Sequence, residues 1–523
     1  MQQAIGIQET SSATGNLARL EFENIERFGV YKRLYFEDRS YTNAEELRYA
    51  GSLARVLQGY GVRRGDRVLV MMPNSPELTA AFQAIWTLGA AILPVIPQWT
   101  AGEIVNILRG AEPTVALTIG PLAPRLEQAN AEVKTLKNLL VFGASEVAAS
   151  VDISGALKSA PPIETPADTV PSDLAILLYT SGTTGTPKGV MLTHENVAAA
   201  WESTYRQNPA PEPGVMLNAL PLTHVYGVLA QNIANRWGWC TVLMRQFDPT
   251  KALEAIERYQ VKYLPAVPTM LMYLLQHPER EKHNLSSLSR IISGGAALPD
   301  RLCKEVERVF HCRVEQGYGL SESASVATGY ELKEPYRPGS VGVACPGVEI
   351  RILDENDHAL PARSNGEICL KGANIMTGYW RDPVATKAVL KDGWLHTGDI
   401  GFLDEDGYLY ITDRKKDLII KGGENISPRE IEEVFYRHPA VAEAAVVGMP
   451  DAVYGEEIYA VLQPRAGIEV SAEELRMYVG QFVTKFKVPT RIILQPLLPK
   501  NVIGKILKYK IRAQLMSELG GPQ

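Results

Sequence analysis

A run of glycines and hydroxyl-bearing residues between two apolar segments constrains this chain more than any other feature. Residues 179–190 read Tyr-Thr-Ser-Gly-Thr-Thr-Gly-Thr-Pro-Lys-Gly-Val, and the flanking segments 174–178 and 190–192 are apolar. Short apolar segments of this kind predict buried strands, so the run predicts the turn that joins them. Glycine lets backbone amides approach phosphate oxygens, while the hydroxyl groups and Lys188 add donors and a positive charge. The pattern predicts a phosphate-binding loop.

This loop differs from the P-loop of kinases and GTPases. That motif places four residues between its first glycine and a Gly-Lys-Ser/Thr, and a helix follows it. Here Lys188 precedes Gly189, and the apolar residues that follow predict a strand. The phosphate-binding loop therefore belongs to a different class of nucleotide site.

In this order the twelve residues resemble the nucleotide-phosphate loop of the adenylate-forming superfamily. The superfamily includes acyl-CoA synthetases, aryl-CoA ligases, luciferases and the adenylation domains of peptide synthetases. The resemblance implies that the loop contacts the phosphates of ATP and that one of its threonines, Thr184, contributes to a Mg²⁺ site. The residues implied to bind ATP here are Thr180, Ser181, Gly182, Thr183, Thr184 and Lys188.

Three further motifs fit the rest of a nucleoside site. Residues 316–322 read Gln-Gly-Tyr-Gly-Leu-Ser-Glu; by resemblance Tyr318 stacks on adenine and Glu322 offers a hard oxygen ligand to Mg²⁺. Residues 293–297, Ser-Gly-Gly-Ala-Ala, follow a predicted strand, where ligands of parallel sheets bind. Asp399 fits a ribose ligand, and Arg414 is implied to reach the same sugar. The ATP residues added by these motifs are Gly295, Ala296, Gln316, Gly317, Tyr318, Gly319, Ser321, Glu322, Asp399 and Arg414.

Two other motifs fit the reacting carboxylate. Residues 221–224 read Pro-Leu-Thr-His, and similar segments of acyl-CoA synthetases line the carboxylate end of the acyl pocket, which gives His224 a catalytic role. Residues 499–505 resemble the superfamily's Pro-Lys-x-x-x-Gly-Lys, whose last lysine, here Lys505, bridges the acyl carboxylate and the α-phosphate. A carboxylate that attacks an anionic phosphorus must overcome charge repulsion, which an ammonium between them reduces. With Lys188 and Glu322, these two residues form the predicted catalytic set.

The length of the chain and its pattern of strands and helices predict an α/β fold in two parts. A chain of 523 residues is too long for one core. Strand–helix–strand spacing before residue 270 predicts parallel or mixed sheets with crossover helices, and short strands with Gly and Asp turns after about residue 340 predict a β-rich subdomain. The charge run at 413–417 predicts the boundary between a large N-terminal adenylation domain, 1–413, and a small mobile α+β C-terminal domain, 414–523. By resemblance Lys416 is the hinge between them.

Composition excludes several other classes. The net charge of −6 argues against a nucleic-acid partner, and five cysteines without a Cys-x-x-Cys spacing favour reduced thiols. The first 16 residues lack the organisation of a signal peptide. The most apolar region, 80–96, is interrupted by polar residues and by Pro94, so it predicts a core helix and strand and no membrane span. These features predict a cytoplasmic protein.

The resemblance implies a reaction in two halves. ATP and a carboxylic acid give an acyl-adenylate and pyrophosphate, and a thiol then displaces AMP. Residues 223–226 read Thr-His-Val-Tyr where amino-acid-specific relatives carry an aspartate, which speaks against amino acids. We therefore expect an acyl-CoA synthetase that uses ATP, Mg²⁺ and coenzyme A. The resemblance also implies a possible homodimer, since dimers are common in the family. An enzyme that loads a carrier protein, or a non-catalytic ATP-binding protein, stays an alternative.

The acyl and CoA contacts are expected in particular segments. Small and apolar residues predict a monocarboxylic aliphatic, alicyclic or aromatic acid, with chain length left open. A gating tryptophan of some long-chain synthetases is replaced by Val228, and lysines near CoA in plant aryl ligases align with Gln246 and Gly422. The residues expected at the acyl group are His224, Tyr226, Val228, Gly294, Gly295, Gly319 and Ala324, and those expected at CoA are Arg245, Lys421, Gly422 and Gly423.

Overall fold

A computed structural model of the chain describes residues 15–180, 187–209, 213–331, 336–465, 467–501 and 504–518. Within these ranges the chain forms α-helices, β-strands and a few single 3₁₀ turns. The helices are α1 Arg19–Phe28, α2 Asn43–Gly59, α3 Pro76–Thr87, α4 Ala101–Ala111, α5 Ala123–Val133, α6 Ser154–Ser159, α7 His194–Gln207, α8 Val225–Trp237, α9 Pro249–Tyr259, α10 Pro268–Gln276, α11 Asp300–Phe310, α12 Pro383–Val389, α13 Pro428–Arg437, α14 Ala472–Val479 and α15 Lys508–Glu518.

The strands are short in the first half of the chain and longer towards its end. They are β1 Lys32–Phe36, β2 Arg39–Thr42, β3 Arg67–Met71, β4 Ala91–Pro94, β5 Val115–Ile119, β6 Asn138–Phe142, β7 Ser150–Asp152, β8 Leu174–Thr180, β9 Lys188–Thr193, β10 Val215–Asn218, β11 Cys240–Leu243, β12 Tyr263–Ala266, β13 Arg290–Ser293, β14 Arg313–Gln316, β15 Thr328–Gly329, β16 Val343–Ala344, β17 Val348–Leu353, β18 Gly366–Gly372, β19 Gly378–Tyr379, β20 Leu390–Lys391, β21 Trp394–Leu403, β22 Leu409–Arg414, β23 Ile419–Lys421, β24 Glu424–Ile426, β25 Val441–Asp451, β26 Gly455–Pro464 and β27 Arg491–Leu494.

Two large sheets build the N-terminal part. One has the order β14-β13-β12-β10-β11-β1-β2, and its strands run parallel except for β2. The other has the order β19-β9-β8-β4-β3-β5-β6-β7, with the predicted pair β8–β9 antiparallel at one side. Helices connect the parallel strands, as the strand–helix spacing predicts. Ser75 caps α3, since its Oγ accepts a hydrogen bond of 3.2 Å from the Leu78 amide. The predicted fold class is confirmed.

A β-rich subdomain follows, also as predicted. Strands β17, β18, β20, β21 and β22 form an antiparallel sheet, in which Asp399 of β21 pairs with Arg414 of β22. The chain then continues from β22 into the C-terminal elements. The pairing of β21 with β22 matters for the site because it brings Asp399 and Arg414 together just before the C-terminal elements.

The C-terminal residues pack around their own hydrophobic cores. Strands β23 to β27 form one mixed sheet, and its two faces bury separate clusters, one including Ile431 and Phe435 and the other Ile511 and Leu515. Every member of both clusters lies after β22. A region with its own core satisfies the main requirement for an independent domain.

Two further sequence predictions concern thiols and membranes. The five cysteines are unpaired, and four of them are buried. In the part of the chain that the structure describes, every helix is too short or too polar to span a bilayer.

Candidate active site

A cavity of about 1650 Å³ lies between the carboxyl ends of the central strands and the C-terminal residues. Crevices at this edge of a parallel sheet are where ligands bind in α/β folds. The structure brings together on its wall most of the site residues predicted from sequence. They are Thr180, Lys188, His224, Tyr226, Gly294, Gly295, Ala296, Gln316, Gly317, Tyr318, Gly319, Ser321, Glu322, Asp399, Arg414, Lys416 and Lys505.

The predicted phosphate-binding loop begins and ends at this wall. Thr180 is the last residue of β8 and Lys188 the first of β9, and the two pair directly. The four loop residues assigned to ATP between them lie outside the described residues: Ser181, Gly182, Thr183 and Thr184. Their two anchors are therefore fixed by the β8–β9 pairing, at the edge of the cavity.

Tyr379 connects the predicted metal ligand to the predicted phosphate lysine. Its hydroxyl donates a hydrogen bond of 2.9 Å to Glu322 Oε1, and Lys188 Nζ lies 5.0 Å from the centre of its ring. Desolvation and the neighbouring Glu322 carboxylate raise the pKa of Tyr379 well above its usual value, so the hydroxyl stays a donor. Sequence reasoning missed this residue. Its signal, an aromatic pair after Gly378, is too weak to read alone.

The predicted adenine and ribose residues form one hydrogen-bonded group. The Tyr318 hydroxyl donates a hydrogen bond of 2.6 Å to Asp399 Oδ2, and Arg414 Nε lies 2.8 Å from Asp399 Oδ1. Each oxygen of the Asp399 carboxylate therefore has a protein partner, and the residue is only 3% exposed. Desolvation and the Asp399 charge raise the pKa of Tyr318 well above its usual value. The group is preorganised and leaves little freedom to the carboxylate.

Gln316 holds the small-residue loop in place from behind. Its Oε1 accepts a hydrogen bond of 3.0 Å from the Leu298 amide, and its Nε2 donates to the Tyr336 hydroxyl at 3.2 Å. Gln316 is buried, with 3% of its surface exposed. Its side chain therefore supports the 294–298 segment as well as lining the cavity.

Glycine makes room at two points of the cavity wall. A Cβ on Gly294 would lie 3.1 Å from the ring of Tyr226, and one on Gly319 would lie 2.3 Å from the carbonyl of Ser325. The Tyr226 hydroxyl donates to the Ile292 carbonyl at 2.9 Å, which fixes the ring over the glycine. The missing side chains leave a flat wall on which a planar group fits.

His224 caps the helix that runs along the cavity. Its Nδ1 accepts a hydrogen bond of 3.2 Å from the Tyr226 amide at the start of α8. Desolvation and the positive charge of Lys505 lower the pKa of His224 to about 4. The imidazole is therefore neutral near pH 7 and lies within electrostatic reach of Lys505.

Lys505 reaches the cavity because the residue before it is glycine. Gly504 has a φ of +77°, and a Cβ there would lie 2.1 Å from Thr269 Oγ1 at the start of α10. The Lys505 amide donates to Asn501 Oδ1 at 2.9 Å, which closes the turn. Desolvation and the charges of Arg414 and Lys416 lower the pKa of Lys505 to about 8. Among the described residues, no carboxylate forms a salt bridge with this ammonium, which lines the cavity.

One predicted acyl residue, Val228, lies on the face of α8 that is turned away from the large cavity. Tyr226, Leu229, Ala230 and Ile233 line the large cavity, whereas Val228 lines a separate cavity of about 40 Å³ behind the helix. Residues three and four apart share a helix face, and Val228 is out of step with this set. The structure therefore does not bring Val228 to the wall of the large cavity, and its assignment to the acyl site stays a prediction.

Ala324 is a second predicted acyl residue that the structure does not bring to this cavity. It is 2% exposed, adopts a left-handed backbone with φ +49°, and does not border the cavity. The tight turn at this residue points its side chain into the core and presents Ser325 and Val326 to the cavity instead. The turn therefore changes which side chains of this segment face the cavity.

The residues predicted to contact CoA are not brought to this cavity. Arg245 pairs with Glu37 at 3.0 Å, and Lys421 pairs with Glu457 at 3.0 Å and lies over Phe486. Gly422 and Gly423 follow Lys421 with φ of +58° and +86°. Lys505 therefore lines the cavity, whereas Lys421, Gly422 and Gly423 do not.

Comparison with known proteins gives matches over nearly the whole chain. Residues 22–380 match the AMP-binding enzyme family, and residues 430–505 match the AMP-binding enzyme C-terminal domain. A long-chain-fatty-acid–CoA ligase of Bacillus subtilis (strain 168) is 34% identical, over 93% of this chain and 92% of its own. The 4-coumarate–CoA ligase 1 of Petroselinum crispum is 33% identical, over 95% and 93%.

A solved structure agrees with the sequence matches. The o-succinylbenzoate CoA synthetase MenE of Bacillus subtilis, solved with the acyl-adenylate intermediate OSB-AMP, superposes with a TM-score of 0.83. It is 31% identical, and the match covers 94% of this chain and 98% of that one.

Proposed function

The chain belongs to the adenylate-forming superfamily of AMP-binding enzymes, and on this basis we propose that it is an ATP-dependent carboxylic acid–CoA ligase. It joins the acid to AMP and then transfers the acyl group to the thiol of coenzyme A, releasing AMP and pyrophosphate. The single observation that carries the proposal is the position of Lys505. Its ammonium shares one cavity with Lys188, Glu322 and Asp399, the predicted phosphate, metal and ribose ligands.

The first half-reaction needs the nucleotide held while two anions meet. We assign the adenine to the flat wall at Tyr318 and Gly295, and the ribose hydroxyls to Asp399 with Arg414. Lys188 and the loop that it ends hold the β- and γ-phosphates, so that pyrophosphate leaves along this side. Lys505 lies between the acid carboxylate and the α-phosphate, where its charge offsets the repulsion of the attack.

Glu322 is the described residue that fits a magnesium ion. Carboxylate oxygens are the ligands that Mg²⁺ prefers, and this ion usually binds through one or two carboxylates together with substrate phosphates. Tyr379 donates to one oxygen of Glu322, which orients the carboxylate and leaves the other oxygen for a metal. When bound, the ion would neutralise phosphate charge. We propose Thr184 as its second protein ligand.

His224 and Tyr226 fit the carboxylate end of the acyl site. The imidazole of His224 is neutral, and its Nδ1 is engaged by the helix, so the ring presents its other nitrogen to the cavity. The cavity continues along α8 past Leu229 and Ile233. We propose a monocarboxylic acid of the aliphatic, alicyclic or aromatic kind, since relatives are named for both a long-chain fatty acid and 4-coumarate.

The second half-reaction needs the ammonium to leave and the thiol to enter. We propose that residues 414–523 form a domain that turns about Lys416, which lies two residues after the end of β22. The separate hydrophobic cores after β22 support this division. After the turn, the loop at Lys421, Gly422 and Gly423 would face the thiol, and Arg245 would be available to the CoA nucleotide.

The test is to follow both half-reactions in one incubation. The purified chain is given ATP, Mg²⁺ and a panel of acids that includes octanoate, palmitate, cyclohexanecarboxylate and 4-coumarate, with and without CoA. AMP together with the matching acyl-CoA by mass spectrometry supports the ligase. Pyrophosphate without a thioester would favour loading of a carrier protein, and bound ATP without any turnover would favour a non-catalytic protein.

Two further proposals concern the cellular location of the protein and its oligomeric state. The unpaired cysteines support a reducing compartment, and we propose the cytoplasm. A homodimer stays a prediction, and sedimentation of the purified chain tests it.

A further inference from the structure

The far end of the cavity is polar although its middle is apolar. In the parallel sheet, Tyr263 of β12 pairs with Arg290 of β13, three residues below the pair Ala266 and Ser293. Tyr263 and Arg290 both line the cavity, together with Gln207 from the end of α7. We call Gln207, Tyr263 and Arg290 the distal end.

The distal end lies a full acyl group away from the reacting carboxylate. From Gly294 down to Arg290 is four residues of strand, or about 13 Å at 3.3 Å per residue. Along the other wall, α8 runs for 13 residues from its cap at His224 to Trp237, or about 20 Å. Trp237 Nε1 donates to the carbonyl of Asn208, next to Gln207, so both walls end at the same place.

Three polar atoms at the distal end lack a protein partner. Among the described residues, no hydrogen bond reaches Gln207 Nε2, the Tyr263 hydroxyl or Arg290 Nη1. Their residues are 8%, 8% and 6% exposed. These three atoms are not among the fully buried side-chain atoms without a partner, so they face the open cavity, where a ligand can bond them in place of solvent.

The orientation of the Gln207 amide follows from its neighbours. Its Oε1 accepts a hydrogen bond of 3.1 Å from the Cys345 thiol, which leaves the NH₂ group free to donate. A Cβ on Gly329 would lie 2.6 Å from the same oxygen, so the glycine makes room for the amide. A ligand therefore meets a donor at this point.

The guanidinium of Arg290 is already paired with a buried carboxylate. Its Nε donates to Glu315 Oε2 at 2.8 Å, and its Nη2 donates to the Tyr330 carbonyl at 3.2 Å. Glu315 is 1% exposed and also pairs with Arg313. A second carboxylate on the ligand would compete with Glu315, so the distal end suits an uncharged acceptor.

We infer that this ligase selects acids that carry an uncharged oxygen, a hydroxyl or a carbonyl, at the end remote from the carboxylate. The inference rests on the proposed function for the acid but not for the acceptor thiol. The oxygen accepts from the Gln207 amide and the Arg290 guanidinium, and the Tyr263 hydroxyl completes its shell. Methyl-terminated acids of the same length leave these donors unpaired.

Matched pairs of acids test the inference. Adenylation kcat/KM is measured by pyrophosphate release for ω-hydroxy and methyl-terminated acids of six to twelve carbons, and their Kd by calorimetry in the presence of AMP. The chain variants are Gln207→Leu, which keeps the bulk, and Tyr263→Phe, which removes one hydroxyl. Ile233→Val changes an apolar wall residue and serves as the matched control.

We expect the hydroxylated member of the best-fitting pair to be preferred about tenfold in the natural chain, the effect of an uncharged hydrogen bond at a buried site. In Gln207→Leu this ratio falls to near one, in Tyr263→Phe it falls partly, and in Ile233→Val it is kept. Equal kcat/KM and Kd within every pair would overturn the inference. Selective binding without any adenylate would instead overturn the proposed function alone.

Discussion

Tyr318 and Asp399 lie 81 residues apart in sequence and are joined by a hydrogen bond of 2.6 Å between the tyrosine hydroxyl and the carboxylate. The residue proposed to stack on adenine therefore also orients the residue proposed to bind ribose. Arg414 holds the second oxygen of the same carboxylate at 2.8 Å. Two parts of the nucleoside site are thus set by one buried acid.

Removing only the Tyr318 hydroxyl tests this arrangement. Tyr318→Phe keeps the ring but frees one carboxylate oxygen, at a cost of about 1.5 kcal/mol for a bond to a charged acceptor. We expect KM for ATP to rise about tenfold with the acid KM little changed. Tyr410→Phe, whose hydroxyl lies 3.5 Å from Asp404 outside the cavity, is the control. An unchanged KM for ATP in Tyr318→Phe would contradict the role.

Lys505→Ala separates the two half-reactions. Without the ammonium, formation of the adenylate is expected to slow by about a hundredfold to a thousandfold, as when other preorganised charges are removed. Transfer from a supplied acyl-adenylate to CoA needs no such charge and is expected to persist. Lys251→Ala, at an exposed position on α9, should leave both steps unchanged. Equal loss in both steps would argue that Lys505 supports the fold.

The pKa of Lys505 predicts the alkaline limb of the first half-reaction. Desolvation and neighbouring cations lower it to about 8, so the required ammonium is lost as pH rises through that value. His224, with a pKa of about 4, stays neutral and adds no acidic limb near pH 6. The profile of adenylation kcat/KM measures this. Lys505→Arg, which keeps its charge, should lack the limb even if it is slower.

The two faces of α8 predict different outcomes for neighbouring substitutions. Ala230→Leu adds bulk to the cavity and should lower kcat/KM for the larger acids of a panel by about tenfold. Val228→Ala removes bulk from the core behind the helix and should lower the free energy of unfolding by about 2 kcal/mol. Denaturant titration and the acid panel distinguish them. A changed acid preference in Val228→Ala would restore that residue to the acyl site.

Lys416→Pro tests the hinge. Proline fixes φ, and the turn between the two half-reactions needs this backbone to rotate. In the structure the Lys415 amide donates to the Gly398 carbonyl at 2.9 Å, and the Asp417 amide donates to the Arg414 carbonyl. Among the described residues, the Lys416 amide between them makes no such backbone hydrogen bond. We expect adenylation to persist and thioester formation to fall about a hundredfold. Lys416→Ala, which keeps a free backbone, should retain both steps, and a proline variant active in both would remove the hinge.

Local signals in the sequence were sufficient for much of the fold and site. The apolar runs 174–178 and 190–192 predict β8 and β9 to within two residues at each end, because burial and strand length are properties of the segment itself. The glycine-rich motifs predict the cavity wall for a similar reason. A Cβ at Gly319 would collide with the Ser325 carbonyl and one at Gly294 would crowd the Tyr226 ring, so the preference for glycine shows at single positions of the sequence.

Contacts between distant segments could not be predicted in this way. Tyr379 donates to Glu322 across 57 residues, and nothing in its own neighbourhood signals that partner. Val228 lies away from the cavity because the phase of a helix depends on where it begins, and α8 begins directly after His224. Ala324 lies away from it because a left-handed turn reverses which side chains face inwards. Both differences concern the orientation of a side chain within its segment.

The ion pair between Arg414 and Asp399 has a thermodynamic consequence. Arg414 is the last residue of the strand that leads into the C-terminal part, and its partner is the proposed ribose ligand. Coupling between two sites is reciprocal, so any factor by which a bound sugar strengthens this pair is also the factor by which the pair strengthens sugar binding. Dissociation of AMP and breaking of the Arg414–Asp399 ion pair are therefore thermodynamically coupled.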